Sequence, residues 1–288
     1  VDFAQFSLKL FNDIVLGNKA YVDIILGDVY THHTYYMGMV DAKNKTNFYD
    51  GNVRVVDPNG KEFCKYEPKE YMKHIAEHVE PWTYLKFPYL KNVGWKGFVD
   101  GIDSGVYMAT PLSRLNTSDG MATPRAQEEY ERFYKTLGGK PVHQRLATHW
   151  ARLVELLYAA ERWVELVSDP EITSPDVHTK PTQIPTEGIG IVEAPRGTLT
   201  HHYWTDELGR VTKANLIVGT TNNYAPIQMS THKAAASLIK DGVVNEGLLN
   251  MVEMAFRAYD PCFGCATHSL PGQMPLEIIV RGADGNPL

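Results

Sequence analysis

Cysteine is scarce in this sequence: Cys64, Cys262 and Cys265 are the only three in 288 residues. So few thiols cannot build a disulfide framework in a chain this long, which points to a reducing, cytoplasmic setting and puts any sulfur chemistry on the close pair Cys262 and Cys265. Long apolar runs are also lacking. None approaches the roughly 20 residues of a membrane-spanning helix, and no charged-then-apolar export pattern opens the chain, so no membrane partner is expected. Excess positive charge is absent as well: the formal net charge is -6 and the basic residues are scattered, which excludes a phosphate-backbone footprint and hence nucleic acid. There is no internal repeat and no low-complexity tract. What remains, 43% hydrophobic and 22% charged residues, is the composition of a globular protein that can bury a sizeable core.

The patterning predicts a mainly α fold with small antiparallel β elements, an α+β architecture around a helix-bundle core. Residues 2–40 read as two helices leading into the aromatic and histidine-rich stretch 30–36, expected to be a loop. The chain opens on Val1 within the first helical pattern, without a cap, and so reads as a cut end. Alternation over residues 47–66, with turn signals at Asp50-Gly51 and Asp57-Pro58-Asn59-Gly60, predicts an antiparallel ribbon carrying Cys64. Residues 80–125 show neither period and are expected to be irregular. The strongest helix spans 148–167, where Trp150, Leu153, Leu157, Ala160, Val164 and Val167 form a stripe predicted to be buried, with His149 and Arg152 off it. A Pro-rich linker (170–188) precedes a hairpin of residues 198–203 and 211–218, then helices near 230–240 and 246–258. Pro261 lacks an amide hydrogen and biases Asp260 away from helical geometry, so the last helix should stop there and leave the cysteine pair on the following turn. Beyond it, residues 276–280 read as a strand and 284–286 as a turn.

Cys-x-x-Cys places two sulfurs within reach of one metal ion, and Gly264 eases the tight turn between them. Taken alone, the pair leaves half a zinc site, a thioredoxin-like redox pair and an inert reduced pair all open. Zinc wants a second Cys or His pair, and none is evident. A redox pair ordinarily opens a helix, where the dipole lowers a thiol pKa, whereas this one follows a helix. His268, three residues past Cys265, does not fit covalent haem attachment.

Three blocks narrow the reading: Val192-Glu193-Ala194-Pro195-Arg196-Gly197, then 215–223 (Asn-Leu-Ile-Val-Gly-Thr-Thr-Asn-Asn), then 260–268 (Asp-Pro-Cys-Phe-Gly-Cys-Ala-Thr-His). In this order and near these separations they resemble the C-terminal half of the nickel-iron hydrogenase large subunit. With residues 33–38 and 256–259, the chain is most similar to the F420-non-reducing (methyl-viologen-reducing) subgroup of methanogens. The resemblance covers the entire chain and implies the large-subunit fold. It also implies a nickel held by four cysteine thiolates, two of them shared with an iron carrying cyanide and carbon monoxide, whose open nickel position splits dihydrogen heterolytically. In that family's terms Cys262 is a terminal nickel ligand and Cys265 a nickel-iron bridge. Arg196 overhangs the open face, Asp260 pairs with it, and Pro195, Gly219 and Thr220 line the pocket around the cyanides. The carbonyl of Leu216 and His268 help bind a magnesium ion. Electrons pass to an iron-sulfur small subunit, since no cysteines remain here for such clusters, and onward to subunits such as a heterodisulfide reductase.

Two departures qualify the resemblance. The family's other thiolate pair and a magnesium-binding glutamate come from an N-terminal block that this sequence lacks, and Cys64 alone cannot replace a spaced pair. Maturation in the family also cuts after the histidine matched by His268, so residues 1–268 read as the domain and 269–288 as an extension of the type removed. The alternative reading is a truncated or immature, metal-free homologue that serves in docking within an electron-transfer complex.

Overall fold

A computed structural model describes residues 1–266 apart from Thr179 and Pro181; His268, the tail and its expected strand and turn lie outside the described residues. The helical layer is organised on α6 (Thr148–Val167), which coincides with the predicted span. Near the N-terminus, α1 (Asp2–Phe11) continues through a π-helical turn, and α2 (Lys19–Leu26) follows, capped by the Asn18 side chain accepting from the Ala20 amide. Before α6 come α4 (Pro111–Thr117) and α5 (Pro124–Leu137). Both carry proline at the start, where its missing amide hydrogen costs nothing, and α5 ends on Gly138 in the left-handed region. Trp150 is the hub: Phe11 and Phe133 pack on its ring with centroids 5.9 and 5.2 Å away, and its Nε1 donates to Glu129 at 2.7 Å. The predicted stripe is correct only in its first half. Trp150 and Leu157 are buried, but Val164 and Val167 are about half exposed. Periodicity marks a face able to be buried; it does not supply the element that covers it.

Among the described residues three small sheets complete the fold, in agreement with the α+β expectation. In the first, β1 (Tyr35–Val40) pairs antiparallel with β2 (Asn52–Val56), β2 with β3 (Glu62–Tyr66), and β1 parallel with the short β6 (Tyr107–Met108). Within the 47–66 stretch expected to form a ribbon, β2 and β3 pair antiparallel with Cys64 on β3, but the last two residues of the 30–36 stretch assigned to a loop, Tyr35 and Tyr36, already belong to β1. All six β1 residues are buried, so both faces pack and the period of two that betrays a half-exposed strand is erased. Gly38 is required there: a Cβ would lie 2.6 Å from Thr117 Oγ1 and 3.0 Å from the Arg114 Cα of α4.

Residues 80–125 are also more regular than expected. After the one-turn α3 (Tyr71–His74), β4 (Ile75–Val79) and β5 (Lys86–Leu90) form a hairpin, followed by β6, α4 and the start of α5. These pieces are too short to show a period. The third sheet runs β7 (Glu187–Ala194), β8 (Gly197–Thr205) and β9 (Val211–Ile217), antiparallel throughout. The Pro-rich composition before β7 masks it in the sequence. Finally α7 (Tyr224–Leu238) packs on α8 (Glu246–Arg257), which ends three residues before Asp260, as Pro261 predicts.

Candidate metal centre

Pro195 and Arg196 are the two turn residues of the β7–β8 hairpin, flanked by the paired Ala194 and Gly197. A buried cation sets this turn. Arg114 of α4, with its side chain 2% exposed, grips Glu155 of α6 through Nε and NH2 at 2.5 and 2.6 Å. It also donates through NH1 to Glu193 at 2.8 Å and the Ala194 carbonyl at 2.9 Å, and through NH2 to the Pro195 carbonyl at 3.3 Å. Planar guanidinium geometry suits this multiple grip. Burial pushes the Glu193 carboxyl upward while Arg114 pulls it down. The other Glu193 oxygen accepts from the Met39 amide at 2.7 Å and the Thr198 hydroxyl at 3.0 Å, so the hairpin is tied to β1 and α4 together.

A second buried turn, residues 219–223, braces the hairpin from below. Asn223 Nδ2 donates to the Arg196 carbonyl at 2.8 Å and to Ala109 O at 3.1 Å, while its Oδ1 accepts from the Ala109 amide. Asn222 Nδ2 donates to Thr198 O at 2.6 Å and its Oδ1 accepts from the Tyr107 hydroxyl. Gly197, at φ +150°, lets the backbones close: a Cβ there would sit 2.5 Å from Gly219 O and nearer still to Ala109 O.

The same turn reaches the cysteine segment. Thr220 Oγ1 accepts from the Cys262 amide at 3.1 Å, and the Thr221 hydroxyl donates to Ala266 O at 3.1 Å. Asp260 lies in the left-handed region at φ +51°, a conformation that a short polar side chain tolerates, where Arg196 Nε donates to its carbonyl at 2.6 Å and lies 3.2 Å from its carboxylate. The arginine and aspartate expected to pair are therefore brought together, both partly exposed. Cys262 and Cys265 have Cα atoms 5.4 Å apart and are joined as a disulfide, with Cys265 inside the one-turn α9 (Phe263–Ala266). The pair thus both follows a helix and enters a helical turn, so the contrast with redox pairs is weaker than the sequence suggests. A disulfide offers no thiolate; the reduced form, with the sulfurs already adjacent, fits the chelation of one soft metal ion. Among the described residues no group of three His, Cys, Asp or Glu side chains could hold a metal by itself.

Leu216, at the end of β9, lines a cleft of about 300 Å³ with Glu77, Lys86, Asn215, Thr221, Tyr224 and Ala266. Glu77 carries no signal of its own in the sequence, because a carboxylate on a short strand is indistinguishable there from a surface charge. Arg114 and Glu155 escape sequence reasoning for a related reason: they are 41 positions apart, and only the fold unites them. Cys64 is half-buried on β3, and burial pushes its thiol up to about 11.

Residues 23–268 match the family described as Nickel-dependent hydrogenase. The chain is 48% identical over 286 residues to an F420-non-reducing hydrogenase iron-sulfur subunit of Archaeoglobus profundus, covering 99% of this chain and 59% of the relative. It is 40% identical to the NAD-reducing hydrogenase HoxS subunit beta of Cupriavidus necator, covering 99% and 57%. A chain from the crystal structure of NAD+-reducing [NiFe]-hydrogenase in the H2-reduced state superposes with a TM-score of 0.83 at 34% identity, over 93% of this chain and 57% of that one. A [NiFeSe]-hydrogenase of Dm. baculatum, 20% identical with a TM-score of 0.55, shares the fold alone. The chain spans somewhat more than half the length of these relatives. Motif blocks, bracing and matches agree, and the chain belongs to the nickel-dependent hydrogenase family.

Proposed function

We propose that this chain supplies Cys262 and Cys265, as thiolates, to a nickel-iron centre that cleaves dihydrogen reversibly. The observation that carries the reading is the meeting of three features at one point: the cysteine pair, the Thr220 hydroxyl on the Cys262 amide, and the Arg196–Asp260 pair. When bound, such a centre supplies an open, Lewis-acidic metal able to polarise dihydrogen. Cys262 is proposed as terminal ligand and Cys265 as bridge. Arg196, fixed at Nε, keeps its terminal N–H groups to donate toward an anionic or polarised ligand, and Asp260 holds that cation in place. Pro195, Gly219 and Thr220 would wall the cyanide and carbon monoxide ligands of the iron.

Magnesium would sit in the Leu216 cleft, where the Glu77 carboxylate suits a hard cation, with His268 as a further ligand. Electrons would leave through an iron-sulfur small subunit toward other electron-transfer proteins, a heterodisulfide reductase among them. No helix among the described residues is long and apolar enough to cross a membrane.

The test is nickel binding by the reduced chain, measured by equilibrium dialysis and elemental analysis. Cys262→Ser and Cys265→Ser should each abolish tight binding, and Cys64→Ser should leave it intact. Undiminished nickel in the 262/265 double variant would refute the assignment.

A further inference from the structure

Arg152 lies off the buried stripe of α6, as does His149 one turn before it, and neither has a role in the centre just described. Its NH2 donates to the carbonyl of Ala258, the residue that caps α8, at 3.1 Å, and its NH1 lies 3.5 Å from His149 Nδ1. Among the described residues its buried Nε has no hydrogen-bond partner and no carboxylate makes contact with it. A half-buried guanidinium with so few acceptors is costly, and burial accordingly pulls its pKa down, with the charge of Asp260 opposing that.

The segment Arg152 holds is gripped at almost every residue, each time from a different element. Ala258 O is held by Arg152 from α6, and the Tyr259 hydroxyl by Ser230 and Pro226 of α7 at 2.8 and 3.2 Å. Asp260 O is held by Arg196 of the hairpin and the Cys262 amide by Thr220 of the 219–223 turn. Asp260 keeps its left-handed backbone inside this run, a conformation that its short side chain tolerates and that these surrounding bonds hold in place.

We infer that Arg152 is a positioning residue for the cysteine pair: by fixing the exit of α8 at Ala258 it sets the course of the chain into Asp260, so that the two thiols face one another before any metal arrives. The inference rests on the proposed thiolate role, and its consequence is preorganisation, since a turn already ordered loses less entropy on binding.

Two measurements on the full chain test it. The first is the nickel affinity of the reduced protein. The second is metal-free: the equilibrium in which the Cys262 and Cys265 thiols close to a disulfide by reducing one glutathione disulfide to two glutathione thiols. Losing one hydrogen bond from a charged donor should lower both constants about tenfold in R152M. R152K, which retains a charge and a donor, should recover most of each. L157A, which loosens the same helix without touching the clamp, controls for general destabilisation and should move neither. Unchanged constants in R152M, or equal losses in L157A, would overturn the inference. If the wild-type chain binds no nickel, the proposed metal role fails, while the glutathione equilibrium still judges Arg152.

Discussion

Replacing Arg114 by methionine isolates the contribution of the buried hub beneath the Pro195-Arg196 turn. The native guanidinium satisfies both oxygens of Glu155 and one of Glu193, and the Glu155 and Glu193 side chains are 8% and 1% exposed. Methionine fills much of the space but leaves two buried carboxylates without a counter-charge. Breaking a buried ion pair from one side costs about 3–5 kcal/mol, against under about 1 kcal/mol for an exposed pair. For a chain of this size that is a fall of roughly 10 °C in thermal midpoint. The pH dependence gives the mechanism its signature. Burial already raises Glu193 even with Arg114 in place, and without Arg114 chiefly the Met39 amide is left to oppose that shift, so its folded-state pKa lies further above its unfolded value near 4.3. A group raised on folding binds protons more readily in the native state, so the deficit of R114M should shrink as pH falls from about 8 toward 5. Chemical denaturation followed by circular dichroism across that range is the assay. A loss under about 1 kcal/mol, or one independent of pH, would refute the claim that uncompensated carboxylates are the cause.

Three further outcomes follow from the same geometry. Gly197→Ala should destabilise by about 3 kcal/mol, from a disfavoured backbone and a Cβ driven into the Ala109 and Gly219 carbonyls, and a loss within about 0.5 kcal/mol in urea titration would contradict the close approach. His143, whose Nδ1 meets the Tyr36 hydroxyl at 2.6 Å, is held down to about 4 by burial and then by His33. Because its folded pKa is depressed below the unfolded value near 6.5, stability should fall as pH drops from 6.5 to 4, and His143→Gln should flatten that slope; an unchanged slope counts against it. Arg196→Lys exchanges a planar fork for a point charge at a pair 39% and 46% exposed, so stability should change by under about 1 kcal/mol while hydrogen oxidation by the assembled enzyme falls at least about tenfold; equal activity would remove Arg196 from the mechanism.

How much of this is legible in the sequence depends on whether a signal is local. The span of α6, the 57–60 turn and the stop before Pro261 are written in neighbouring residues, and each matches the structure. The strand β1 does not announce itself, since burial on both faces removes alternation, and Tyr35, Tyr36 and His33 look from the sequence like any polar-aromatic loop. The outer half of the α6 stripe fails in the opposite sense: Val164 and Val167 repeat correctly but meet no covering element. For the site, resemblance identifies the three motif blocks, and nothing within them indicates that Arg114, Glu155 and Thr221 hold them together, because such pairings span tens of residues and arise only when the chain closes.

That division also separates the motif residues by what they do. In the 192–197 block, Glu193 and Gly197 are spent on packing, one on Arg114 and the Met39 amide, the other on passing between two carbonyls. In the 219–223 turn, the two asparagines make only structural bonds, and Thr220 and Thr221 reach the cysteine segment. Arg196 differs from all of these in that, among the described residues, only its Nε, held by Asp260, is committed. Under the chemistry proposed for Arg196, the other residues of the motif serve to hold that one still. Substitutions in the packing positions should therefore lower activity through stability and loosened geometry, whereas those at Arg196 should lower it with the fold intact.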